Sequence, residues 1–99
     1  MSPRIAPFTA PARAWFLAEI AYLAERNPAA ATKVAALFQA ARRTLAEHPD
    51  IGRPSCVPGL RHFTAGPYVL TIRRAAGSVE ILSIRHGRQG DLPPSKTKD

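Results

Sequence analysis

Six residues able to grip an anion fall late in the sequence: Arg61, Arg73, Arg74, Arg85, His86 and Arg88. Arginine offers a planar fork of donors that matches phosphate or carboxylate oxygens, and an imidazole can carry a proton. Arg61 and Arg73 fall on adjacent predicted strands, and His86 and Arg88 lie where the last strand ends, so several of these groups are expected to converge on one anion. Arg61, Arg73, His86 and Arg88 are the candidate binding set, a choice that rests in part on the resemblance given below. Arg74 and Arg85 take the ordinary reading for strand arginines, outward charges in surface ion pairs worth about 0–1 kcal/mol each. His48, before Pro49, suits the C-terminal end of a helix, where a cation favours the dipole. His62 alternates within a strand and Trp15 and Tyr22 suit packing, so none of these is given a function.

Most enzyme templates are absent. The chain has no GxSxG, GxxxxGK[ST], HExxH or GxGxxG, and its three His and one Cys lack a zinc spacing, so neither metal nor cofactor is expected. Glu19, Glu25 and Glu47 fall on predicted helices and Glu80 on a strand, where each reads as a solvated charge rather than half of an acid–base pair. Fourteen Lys and Arg, most of them Arg, stand against seven Asp and Glu, for a net charge of +7. Such a field favours nucleic acid, a nucleoprotein or an acidic protein as partner. Cys56 has no second Cys to pair with, which fits a reducing cytoplasm. Met1 to Ala14 has no apolar run of signal length, and no later stretch approaches the ~20 apolar residues of a membrane span, so neither export nor a membrane location is expected.

The elements that must position these residues follow from periodicity. Ile5 to Phe8 predicts a short first strand, and Thr9 with Pro11 opens a helix carrying Phe16, Ile20 and Leu23 on one side as far as Arg26. Asn27-Pro28 caps and restarts the chain in a second helix, to about His48, with a stripe of Ala30, Val34, Leu37, Phe38, Ala41 and Leu45. Lys33, Arg42, Arg43 and Glu47 fall largely outside that stripe. Pro49 ends the helix, and Gly52, Pro54, Pro58 and Gly59 predict an irregular loop from Asp50 to Gly59. The period then becomes two, giving strands at Leu60–Thr64, Tyr68–Arg74 and Val79–Arg85, the last two joined through Ala75, Ala76, Gly77 and Ser78. In the last strand Val79 and Ile81 alternate against Leu82 and Ile84, which predicts two partly apolar sheet faces, one for the helices and one for a partner. Residues 1–89 read as one domain, and residues 90–99, with Pro93, Pro94, Lys96 and Lys98, as a flexible C-terminal tail.

From Ala12 to Gln89 the order of these signals resembles the ParE branch of the ParE/RelE toxin superfamily. The segments that carry the likeness are AERNPAA at the helical hairpin, LAEHPDIGRP after it, Gly59-Leu60-Arg61, Pro67-Tyr68-Val69-Leu70, and Val79-Glu80-Ile81-Leu82 leading to His86-Gly87-Arg88-Gln89. The resemblance implies an α+β fold: an N-terminal strand, then a two-helix hairpin packed on a small antiparallel sheet. It also implies the toxin half of a type II toxin–antitoxin pair, neutralised by a cognate acidic antitoxin and reaching operator DNA only through it. ParE-like toxins typically inhibit DNA gyrase by trapping it with cleaved DNA, whereas RelE-like relatives cut messenger RNA on the ribosome. Arg61 matches an arginine used in both branches, and His86 and Arg88 match the polar segment after the last strand. In a ribonuclease, Arg61, Arg73 and Arg88 would supply charge and His86 the proton carrier. The sparse acid–base inventory makes a non-enzymatic gyrase inhibitor the first reading, a ribosome-dependent ribonuclease the second, and an inactive antitoxin-binding module the third. Trp15 departs from the family pattern where an acidic residue is frequent, and Glu19 where an apolar one is.

Overall fold

The computed structural model describes residues 5–75 and 77–87. Arg88 and the predicted tail lie outside the described residues. Two helices, α1 (Ala10–Arg26) and α2 (Pro28–Glu47), precede four strands, β1 (Arg53–Pro54), β2 (Leu60–Ala65), β3 (Tyr68–Ala75) and β4 (Ser78–His86). The strands form one antiparallel sheet in the order β1-β2-β3-β4.

Both helices begin as their residues dictate. Thr9 caps α1 through its side-chain oxygen, and the same hydroxyl donates to the Leu82 carbonyl at 3.1 Å, so the cap also fastens α1 to β4. Asn27 accepts from the Ala30 amide at 3.2 Å and Pro28 occupies the first helical position, which turns the chain in a single residue. In α2, Ala31, Phe38, Ala41 and Leu45 are buried; Ala31 takes the inward position expected of Ala30. Arg42 was read as lying outside the stripe, but it packs inward. Its guanidinium lies 4.4 Å from the Phe8 ring centroid and Nε donates to the Ala6 carbonyl at 2.7 Å, while burial pushes its pKa below the usual arginine value.

Three strand expectations are corrected. The N-terminal strand shrinks to one parallel bridge, Phe8 to Ile81, flanked by the bonds Ile81 N–H to Pro7 O and Thr9 N–H to Ile81 O, both 2.9 Å. Pro7 has no N–H to extend the ladder. The loop after α2 is not wholly irregular, because Arg53 and Pro54 pair with His62 and Arg61. Nor does the last strand present a second apolar face. Ile72 pairs with Ile81 while Thr71 pairs with Ser83, so Leu82 has no partner and forms a β-bulge. The extra residue shifts the alternation and brings Ile84 onto the same face as Val79 and Ile81, all three buried.

The helix-facing side of the sheet is therefore Phe63 and Ala65, Tyr68, Leu70 and Ile72, with Val79, Ile81 and Ile84, packed against Phe38, Ala41 and Leu45. No described element covers the opposite face. Among the described residues no helix is long and apolar enough to cross a membrane.

Candidate functional site

Strand register separates the predicted set. Arg61 lies opposite Ile72 on the helix-facing side, and its Nη1 donates to the Gly52 carbonyl at 3.2 Å. Arg73 lies opposite Leu60 and Glu80 on the open face, where its Nε donates to Glu80 at 3.0 Å and the two form an ion pair. His86 lies opposite Tyr68, back on the helix-facing side. Between the rows of Arg61 and His86 the pairing advances four residues along β3, from Ile72 to Tyr68, or roughly 13 Å. Arg61 and Arg73 meet Arg74, Asp50, Leu60 and Leu82 around a cleft of about 770 Å³. There Arg74 forms the expected surface ion pair with Asp50, although register sets it opposite Val79 on the helix-facing side rather than outward. An incoming anion must compete with Glu80 for Arg73 and with Asp50 for Arg74.

His86 belongs to a different cluster. Its ring centroid lies 5.6 Å from that of Trp15 and 5.0 Å from that of Tyr68, and Nε2 sits 3.4 Å from Oε2 of Glu19. The Tyr68 hydroxyl donates to the same Glu19 oxygen at 2.8 Å. The Glu19 side chain is 14% exposed, so the expectation of a solvated helix charge is corrected: it is the acceptor at the centre of a Tyr–Glu–His cluster roofed by Trp15. Burial first, then the hydrogen bond and charge of Glu19, holds the Tyr68 phenol well above the usual tyrosine pKa. Tyr22, by contrast, is exposed, with the Arg26 guanidinium 3.8 Å from its ring centroid.

The open face carries a second basic group. Register sets Arg53, His62, Thr71 and Ser83 in one row across the four strands, and Thr64, Val69 and Arg85 in the next. Arg53, Thr64, Pro67, Val69, Arg85 and His86 border a cleft of about 370 Å³, so His86 reaches this cleft as well as the Glu19 cluster. The surface ion pair expected of Arg85 is not formed among the described residues, and its buried Nη1 has no hydrogen-bond partner there. Sequence reasoning passed over Arg53 because it fell in a predicted loop, and His62 because alternation alone does not say what lies beside it. Glu19 was missed because its partners lie 49 and 67 residues away in sequence. Among the described residues no three His, Cys, Asp or Glu side chains gather as a metal site, and Cys56 is exposed and free.

No curated relative matches the chain in sequence. Among solved structures, a chain described as "Chromosomal ParDE TA system from P. aeruginosa" superposes with a TM-score of 0.69 at 25% identity, covering 85% of this chain and 96% of that one. The family model described as the ParE toxin of the type II toxin–antitoxin system, parDE, matches residues 7–90, a span that includes both helices, all four strands and every candidate residue above. With the helical hairpin packed on an antiparallel sheet, the chain belongs to the ParE toxin family of type II toxin–antitoxin systems.

Proposed function

We propose that this protein inhibits DNA gyrase by binding it and stabilising its cleaved complex with DNA, and that a cognate acidic antitoxin neutralises it. In this reading it acts in the cytoplasm as a non-catalytic protein poison and reaches operator DNA only through the antitoxin. Family membership supports the toxin role. The placement of His86 supports binding over catalysis. A ribonuclease needs a general acid or base within hydrogen-bond reach of the reacting group and cations around the developing charge, and His86 is the proton carrier that the sequence offers. The His86 ring packs against Trp15 and Tyr68 with Nε2 toward the Glu19 carboxylate, and although His86 also borders the cleft of Arg53 and Arg85, Arg61 and Arg73 line a different one. Arg61, Arg73, His86 and Arg88 are proposed as target- or antitoxin-binding residues, acting as two groups rather than one.

Induction without antitoxin tests this. Gyrase–DNA cleavage complexes and the DNA-damage response should rise, and the purified protein should inhibit supercoiling by gyrase. Codon-phased cuts in ribosome-bound messages, with gyrase supercoiling unaffected, would replace this reading with the ribonuclease one.

A further inference from the structure

The open face of the sheet holds two arginines that the family reading leaves without work. Arg53 stands on β1 and Arg85 on β4, three strand spacings apart, roughly 14 Å, yet both side chains border the same cleft of about 370 Å³. Neither is in an ion pair among the described residues, unlike Arg73 and Arg74 at the other end of the sheet. Among the described residues Arg85 Nη1 is buried without an acceptor, a state that costs free energy unless something supplies one. Arg85 borders the cleft, and an anion there would supply one once the guanidinium turns toward it.

We propose that this cleft is a phosphate site that takes the phosphodiester backbone of a nucleic acid. Two arginines carried on separate strands border the cleft, which suits a group, or successive groups, with acceptor oxygens in several directions better than one flat carboxylate held by a single fork. Thr64 lies in the cleft with Val69 and Pro67, and the neighbouring row on the same face adds hydroxyl and imidazole groups from Thr71, Ser83 and His62. Those groups donate to phosphate and sugar oxygens. The core of a protein–protein interface draws on large aromatic and apolar anchors, whereas the apolar side chains lining this cleft are Pro67 and the already buried Val69. The inference is independent of gyrase inhibition, because the toxin alone makes the contact.

The test is equilibrium binding of the purified full chain to short fluorescent single-stranded DNA and RNA oligonucleotides, read by anisotropy across a salt series. Arg53→Gln and Arg85→Gln are compared with Arg43→Gln, which removes the same charge from an exposed position on α2. Each cleft variant should weaken binding about tenfold and reduce the slope of log K against log salt by about 1, while Arg43→Gln changes affinity less than about twofold. Melting curves report folding, and Arg53, exposed on a two-residue edge strand, keeps the comparison usable if Arg85→Gln lowers stability. Equal weakening by all three variants would reduce the effect to the overall positive field and overturn the site. Binding of inorganic phosphate with no measurable oligonucleotide affinity would overturn the nucleic-acid assignment. So would an acidic peptide that binds as tightly as the oligonucleotides with the same dependence on Arg53 and Arg85.

Discussion

Glu19 accepts from Tyr68 and faces His86, so one carboxylate joins α1 to β3 and to the end of β4. A neutral donor to a charged acceptor contributes about 1.5–3 kcal/mol, so Tyr68→Phe should cost stability of that order at neutral pH. The sign of its pH dependence follows from the raised phenol pKa. The folded state favours the protonated phenol, so the stabilisation is fully present below the unfolded value near pH 10 and is lost as pH rises through the folded value. The gap between the melting temperatures of the wild type and Tyr68→Phe should therefore stay constant up to about pH 9 and close above about pH 10. A gap that stays open or widens in alkali would show that the phenol–carboxylate bond does not stabilise the fold. Arg61 has a similar double role, since it borders the larger cleft and anchors the Gly52 carbonyl. From sequence, removing it would cost no more than about 0.5 kcal/mol, the figure for an exposed arginine. With a half-buried bond to a carbonyl, Arg61→Ala should cost about 1 kcal/mol as well as reducing toxicity. Growth assays and chemical denaturation on the same variants separate the two effects, and unchanged toxicity with full loss of folding would make Arg61 structural only.

At the scale of elements, β1 depends on one backbone position. Gly52 has φ +104°, in the region that L side chains rarely adopt, and a Cβ there would lie 2.8 Å from the His62 carbonyl oxygen. Gly52→Ala should cost more than about 1 kcal/mol and detach the Arg53–Pro54 strand from β2. Gly59→Ala, at φ +86° with nothing within 4 Å, carries the backbone strain without the collision and should cost less. Thermal melts with amide exchange at His62 decide it; equal losses for the two variants would rule out the contact as the cause. Of these elements the helices were the most legible, because Asn27-Pro28 is a local signal and both helices span several periods. Strands β2 to β4 were visible from alternation. A two-residue edge strand containing proline has no period to read, which hid β1. The bulge was hidden because Leu82 is as apolar as its neighbours, so the sequence could not say where alternation breaks, and a partner-binding apolar face was inferred in its place. The site was less legible than the fold. Residue types identified the cations, but register decides which face each occupies, and register around an unseen bulge shifts by one residue.

At the scale of the molecule, both helices cover one face of the sheet and the charge is +7, so a chain of 99 residues has a thin core and a strong field. A chain of this size buries only about two-thirds of its unfolded surface, and its free stability should be modest. A partner that binds only the folded form adds RT ln(1 + [L]/Kd), about 4 kcal/mol at a thousandfold excess over Kd. Since 1 kcal/mol shifts the melting temperature of a domain this small by about 4–8 °C, saturating antitoxin should raise it by well over 10 °C. Because the proposed antitoxin is acidic, part of that gain is electrostatic, and it should shrink between low salt and about 1 M, where the screening length falls to about 3 Å. The measurement is a melting series of toxin, antitoxin and their mixture at both salt concentrations. A shift that is large and independent of salt would assign the interface to apolar surface such as the exposed Leu17 and Tyr22 on α1. The absence of any shift with antitoxin in excess would remove neutralisation by direct binding from the proposed function.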